Sequence, residues 1–269
     1  MKPKTIKSLC LQKQQRHSRL KYLSRSVAIF ACTILLAWVL SAYYVVRVKT
    51  ITFVAADSLE ITADEYITDP DLPYILLFHE QGSSRGEYHT IARRLCKLDY
   101  NCLAVDLRNG GNNSHVSNET ARRCRESRCP AGIENLGMDV AAAIDYIRGK
   151  SEYPVILFGS GANGSLSLKI AAENAHVRAA VALSPGEYFM PALKIQDSIE
   201  GLKKPVFITA SKTEIPYISE LASGIGDDYL TLFEPKRGEG NRGTESLSEK
   251  YEYNTEYWVA LILFFRDLM

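Results

Sequence analysis

Hydrophobic and polar positions divide the chain into three regimes. Residues 1–26 are polar and basic. Val27–Val46 (VAIFACTILLAWVLSAYYVV) runs for twenty residues without a charge. From residue 50 onward, short apolar runs alternate with stretches of helical spacing, which is the mark of strands alternating with helices. Residues 50–67 hold two β-like runs around Asp57-Ser58, a hairpin signal. PYILLFHE (73–80), NCLAVDLR (101–108), YPVILFGS (153–160) and VRAAVALS (177–184) are continuous apolar runs, as expected of strands buried on both faces. PVFITAS (205–211) and DYLTLFE (228–234) complete a set of eight strands. Helical spacing occupies 86–98, 134–148, the stretch from 161 to about 175, 214–224 and 255–268. The polar stretch 109–132 reads as a loop, and 185–204 as irregular with at most a short helix.

This order predicts an α/β fold: an eight-stranded, mostly parallel sheet with helices on both faces, over residues 50–269. With 46% hydrophobic and 23% charged residues in 269, the composition is that of an ordinary globular chain. It excludes collagen-like, disulfide-framework and disordered classes.

The net charge of +1 conceals an asymmetry. Residues 1–50 hold ten of the 32 Lys/Arg and no Asp or Glu, leaving 22 basic residues for 51–269 against all 31 acidic ones. An acidic body argues against nucleic-acid binding, which needs a basic face. As a helix, Val27–Val46 would span about 30 Å, the thickness of a bilayer core. Trp38, Tyr43 and Tyr44 suit a membrane interface, and eight positive charges precede the run while Arg47 and Lys49 follow it. The expectation is a cytoplasmic tail (1–26), a transmembrane signal anchor (27–46) and an exported domain (50–269). A cleaved leader is a competing reading, although Leu40 and Tyr43 spoil the small-residue cleavage pattern around Ser41-Ala42. A buried core helix and a mitochondrial transit segment compete as well.

Six cysteines agree with export. Cys124 and Cys129 flank the short loop CRESRC and are a candidate disulfide. Cys96 and Cys102 are candidates for a second. No CxxC pair occurs, and neither a metal nor a cofactor is implied. Asn112-Asn-Ser, Asn118-Glu-Thr and Asn163-Gly-Ser match the glycosylation acceptor pattern.

In open α/β sheets, sites form beyond the carboxyl ends of the strands. The residues there are His79-Glu80-Gln81-Gly82, Asp106 to Gly111, Gly159-Ser160-Gly161-Ala162-Asn163-Gly164, Ser184 to Tyr188, Lys212-Thr213-Glu214, and Pro235 to Leu247 with Arg242-Gly243-Thr244. The segments LLFHEQGSSRGEY, NCLAVDLRNGG, ILFGSGANGSLSLKIAAEN, ALSPGEYF, KPVFITASKTEI and YWVALILFF resemble the α/β-hydrolase superfamily, in particular its dienelactone-hydrolase-like serine hydrolases. The resemblance covers nearly all of 50–269. It implies a nucleophilic Ser on a sharp strand-to-helix turn, a His after the last strand, an acid after an earlier strand, and an oxyanion hole of backbone N–H groups.

The chain departs from that pattern where the chemistry is done. Aligning Gly159 with the first Gly of the elbow puts Gly161 at the nucleophile position. The five His are at 17, 79, 89, 115 and 176, so none follows the last strand, and Arg242 falls where the family carries His. Glu214 is the candidate acid. Gly has no nucleophile and Arg cannot serve as a base. The resemblance therefore leaves a candidate ligand site of His79, Glu80, Gln81, Ala162, Glu214 and Arg242. In it the Ala162 N–H could hold a carbonyl or anion, and Arg242 could pair with Glu214 or with a bound carboxylate. Ser160 is the candidate displaced nucleophile. Gly159, Gly161 and Gly164 also fit the spacing of a dinucleotide fingerprint, but no acid stands where that motif needs one.

Three readings stay open. One is a non-catalytic domain that binds a small carboxylate, an ester or a protein partner. The second is an active hydrolase using displaced groups such as Ser160. The third is a structural domain with a filled pocket.

Overall fold

The computed structural model describes residues 45–268, together with Thr33. Residues from Val46 on form one compact unit. Its main sheet has eight strands: β1 (Arg47–Val54), β2 (Glu60–Ile67), β3 (Tyr74–Phe78), β4 (Asn101–Val105), β5 (Val155–Ser160), β6 (Val177–Leu183), β7 (Val206–Thr209) and β8 (Leu230–Phe233). They lie in the order β1-β2-β4-β3-β5-β6-β7-β8. The β2 strand is antiparallel to β1 and β4, and every other pair is parallel. The continuous apolar runs became the central strands β3, β4 and β5, each buried along its whole length. At the edge, β1 exposes every residue but Ile51 and Phe53 to a large degree, as a strand covered on one face only should.

Seven helices cover the sheet: α1 (His89–Cys96), α2 (Glu119–Ser127), α3 (Ile133–Arg148), α4 (Gly161–Glu173), α5 (Ile195–Ser198), α6 (Ile215–Leu221) and α7 (Asn254–Asp267). One core lies between the sheet and α3, α4 and α6, built on Leu76, Leu103, Leu157, Val140 and Ile218. The other lies between the sheet and α1 and α7, built on Ile75, Leu77, Leu95, Trp258 and Phe265. Both faces are therefore covered, as the alternation of elements requires.

The stretch 109–132 is more ordered than a loop. A two-residue ladder pairs Asn112–Asn113 with Val116–Ser117, and α2 follows. Only Thr120, Ala121 and Cys124 of α2 are buried, so its sequence carries too short an apolar stripe to read as a helix. Asn118 caps it, accepting a hydrogen bond from the Ala121 N–H. The Thr120 hydroxyl accepts one from Thr62 N–H and ties α2 to β2.

Cys124 and Cys129 form a disulfide. Cys96 and Cys102, the candidates for a second bridge, are both buried thiols. Each is turned to a backbone carbonyl, Cys96 to Tyr66 and Cys102 to Ala92. Of the three glycosylation patterns, those at Asn118 and Asn163 are sealed inside the fold, each asparagine about 1% exposed. Among the described residues no helix is long and apolar enough to cross a membrane, and the predicted span falls almost wholly outside them.

Arg108, just beyond β4, holds three parts of the fold together. Its buried guanidinium donates to Asp139 of α3 at 2.6 Å, to Asp57 of the β1–β2 turn at 2.6 Å, and to the Pro130 carbonyl beside the disulfide at 3.0 Å. Removing one member of a buried, hydrogen-bonded ion pair leaves the other charge without compensation. Arg108→Met should therefore cost about 3–5 kcal/mol in denaturant unfolding. Arg122→Met, which breaks an exposed pair on α2, should cost no more than about 1 kcal/mol.

Candidate functional site

Five strand ends meet at the carboxyl edge of the sheet, around the point where β3 and β5 lie side by side. They bring Glu80 (after β3), Gly161 (after β5), Ser184 (after β6), Glu214 (after β7) and Arg242 (after β8) into one cluster.

The turn from β5 into α4 is sharp. Gly161 sits at its apex with φ of +57°, a conformation that costs any residue with a β-carbon. The space in front of Gly161 is taken by Glu80: a β-carbon on Gly161 would lie 2.7 Å from Glu80 Oε1. Gly243 closes the other side with φ of +54°. A β-carbon there would lie 2.5 Å from Ser160 Oγ and 3.0 Å from Glu80 Oε2. The Glu80 carboxylate thus occupies the gap between two glycines.

Arg242 holds it there. Its Nη2 donates to Glu80 Oε1 at 2.7 Å and to the Tyr188 hydroxyl at 2.8 Å, and its Nη1 donates to Glu214 Oε1 at 3.1 Å. Glu214 is fixed in turn. Its Oε2 accepts from the Ser211 hydroxyl at 2.7 Å, from Ser211 N–H at 3.1 Å and from the Ser184 hydroxyl at 3.1 Å. The Gly243 N–H donates to Ser184 Oγ at 2.9 Å, which ties the Arg242 segment to β6. Partial burial pulls the Arg242 pKa down, but Glu80 and Tyr188 outweigh it and hold the guanidinium above its ordinary value. It remains a cation and cannot take a proton from anything.

Behind Glu80 lies a second carboxylate. Glu87 accepts from Glu80 N–H at 3.1 Å and from the Thr244 hydroxyl at 2.9 Å. Burial, opposed by these hydrogen bonds and one from Ser83, raises its pKa.

His79 stands apart from this cluster. Its ring is fully buried. Nδ1–H donates to the Glu80 carbonyl at 2.8 Å, and Nε2 accepts from Leu107 N–H at 2.9 Å and from the Asn118 amide at 3.0 Å. Both nitrogens are used inside the fold, and burial pushes its pKa down to about 4. Asn163, at the foot of α4, donates to the His79 carbonyl and accepts from Asn109. Of the remaining candidates, Gln81 is exposed on the turn after Glu80, and Ala162 is buried in the first turn of α4. Ser160 Oγ is buried and has no hydrogen-bond partner among the described residues, so no base is seated on it. Among the described residues, no group of three His, Cys, Asp or Glu could hold a metal ion.

The sequence points to Glu80, Gly161, Glu214 and Arg242 by their positions after strands. Ser184 and Tyr188 lie in a strand-end segment that the sequence singles out, but nothing in it gives them a role, and Ser211 and Glu87 carry no signal: all four act through hydrogen bonds that no local pattern encodes.

The same architecture occurs in solved structures. An esterase of Pyrococcus furiosus superposes with a TM-score of 0.60 at 14% identity, over 81% of this chain and 90% of its own. A dienelactone hydrolase of Anabaena variabilis gives 0.60 at 18%, over 81% and 95%. A dienelactone hydrolase-like promiscuous phosphotriesterase from metagenomic libraries gives 0.59 at 14%, over 82% and 98%. At these identities the shared property is the fold alone, and it is the one that the sequence resemblance implies. No protein-family model matches the chain, nor does the sequence of any curated protein.

This geometry makes two outcomes measurable. Gly161→Ala should destabilise the protein by about 1–2 kcal/mol from the positive φ, plus the contact with Glu80. In a Glu80→Ala background the contact part should vanish, giving a coupling of about 0.5 kcal/mol or more in a double-mutant cycle. For His79, the unfolded state binds a proton below about pH 6.5, whereas the folded state does so only near pH 4. Stability should therefore fall by roughly 3 kcal/mol as the pH drops between those values, and His79→Asn should flatten that dependence.

Proposed function

We propose that this chain is a membrane-anchored α/β-hydrolase-fold domain whose Ser-His-acid triad is broken and which acts by binding rather than by turnover. The observation that carries this reading is the Glu80 carboxylate lying against Gly161 and clamped by Arg242. In the triad mechanism the nucleophile is a side chain on that turn and the base is a neutral imidazole after the last strand. Here the first position has no side chain and the second is a permanent cation. The space between them is filled by Glu80, which is what the structural reading expects. The binding we propose is therefore at the surface around the cluster and not in a pocket bounded by Gly161, Glu214 and Arg242.

A relocated hydrolase built on Ser160 gains nothing from the geometry. A hydroxyl needs a hydrogen-bonded base to become a nucleophile at neutral pH, and Ser160 Oγ is buried without one among the described residues. The names of the structural neighbours, an esterase, a dienelactone hydrolase and a phosphotriesterase, therefore carry a likeness of shape and no activity to this chain.

Between a small carboxylate and a protein partner, the charge balance favours the protein. One guanidinium already serves two carboxylates, so an incoming carboxylate must expel Glu80 before it can bind. Beside the cluster, Tyr188 on Arg242 and Tyr217 next to it at Gly186 are 42% and 51% exposed. With Arg242 they make the aromatic and Arg composition enriched at protein interfaces. The anchor rests on the sequence of residues 1–46, and export on the positive-inside bias and the Cys124–Cys129 bridge.

The test is hydrolysis of a short-chain chromogenic ester by the full chain in detergent, with fluorophosphonate labelling in the same sample. No turnover above buffer and no labelling, in a protein shown to be folded, is the expected outcome. Turnover that disappears in Ser160→Ala would overturn the binding-only reading.

A further inference from the structure

One face of the sheet carries α3, α4 and α6, and the outer surface of α3 takes no part in the site. Glu134, Ala141 and Arg148 recur every seven residues along α3, close to two helical turns, so they stand in one line. All three are exposed. Between the two charged ends, the surface around this line is made of the small or apolar Gly137, Met138, Ala141 and Ala142. A hollow flanks the helix on each side. Toward α4, one of about 630 Å³ is lined by Ile133, Gly137, Leu166, Ile170 and Leu193 among others. Toward β1, one of about 340 Å³ is lined by Phe53, Val54, Met138, Ala142 and Tyr146 among others, with Val54 63% exposed. Ala141 borders both hollows. The crest between them is therefore a single methyl group, and a second helix can approach it to the usual 8–10 Å between axes.

The charges select which helix fits. Glu134 makes no ion pair among the described residues. Arg148 pairs with Asp145 of its own helix at 3.0 Å, with side chains 50% and 67% exposed, a contact of little energy that is easily exchanged. Laid antiparallel with a two-fold axis through Ala141, a second α3 sets Glu134 of each copy against Arg148 of the other, about 10.5 Å from the axis on either side. Asp145 then lies opposite Gly137 and meets no acid. Met138 falls between the levels of Ala142 and Tyr146 of the second copy, where that copy's hollow at β1 opens. A parallel second helix would instead set Glu134 against Glu134 and Arg148 against Arg148, so the charges favour the antiparallel arrangement.

We propose that the chain binds a second copy of itself through the outer face of α3, antiparallel about Ala141. The contact is isologous, as two-fold interfaces are: the same low crest, the same hollows and the same two charges meet on both sides. Met138 is the side chain to fill the hollow, since an unbranched thioether adapts to an irregular apolar space. The Glu134–Arg148 pairs lie at the rim, where they set register and orientation more than affinity. The dimer is independent of the anchor and of the binding reading.

The test uses the full chain in mild detergent, with Cys10 and Cys32 replaced by Ser. Ala141→Cys, on the axis, should crosslink to a dimer under mild oxidation, whereas Ile262→Cys, exposed on α7 across the sheet, should not. Sedimentation should show a monomer–dimer equilibrium. Glu134→Arg or Arg148→Glu alone should raise its dissociation constant about tenfold or more, and the two together should restore it to within about threefold. A protein that stays monomeric at every concentration overturns the proposal. A dimer that does not crosslink at 141 and ignores both charge reversals, as one made by the anchor or by the edge strand β1 would, also overturns it. So does a double reversal, shown to be folded, that recovers nothing, because residues 134 and 148 then do not face each other across the copies.

Discussion

Arg242 bridges Glu80 and Glu214, and this bridge sets the geometry of the strand ends around it. Its energy is modest, because Arg242 is about half exposed and water screens a pair at that depth. Its consequence is geometric. It draws the β3 end, the β7 end and the segment after β8 to one point, and it lays the Glu80 carboxylate across a turn that carries no side chain of its own. Two glycines with positive φ leave room for that carboxylate, so the closure depends on backbone conformation as much as on charge.

The bridge has a buried polar footing. His79 joins the β3 end to the β4 end through Leu107, and Asn118 joins His79 to the start of α2. Asn163 joins the His79 carbonyl to the start of α4 and, through Asn109, to the segment beyond β4. Each group satisfies a backbone atom that would otherwise be stranded in the interior, where an unpaired polar group is costly. The histidine stays neutral because of this burial, and it orients Glu80 rather than exchanging protons. A candidate ligand-site residue is here a buried packing histidine that fixes the Glu80 backbone.

The sheet was legible because its central strands are buried on both faces: YILLF, NCLAV and VILFGS are unbroken apolar runs that allow few other readings. The helix α2 was not legible, since ETARRCRES buries three positions and reads as a polar loop. The clustering of part of the candidate site was legible: Glu80, Gly161, Glu214 and Arg242 follow from strand ends and from the resemblance, whereas His79 is used inside the fold. That Glu80 would turn onto Gly161 was not legible, because the contact is fixed by Arg242, 162 residues away. Nor was the absence of a Cys96–Cys102 bridge, because spacing says nothing about which way two thiols point.

The Glu80 side chain closes the candidate site. Calorimetric titration of butyrate into the wild-type chain and into Glu80→Ala tests it directly. Removal of Glu80 frees the Arg242 Nε and one of the two bonds of its Nη2, with Glu214 and Tyr188 still held, and empties the space before Gly161, so the variant should bind the carboxylate and the wild type should give no heat of binding. Equal binding by both proteins would show that the cavity is open with Glu80 in place, and would contradict the account.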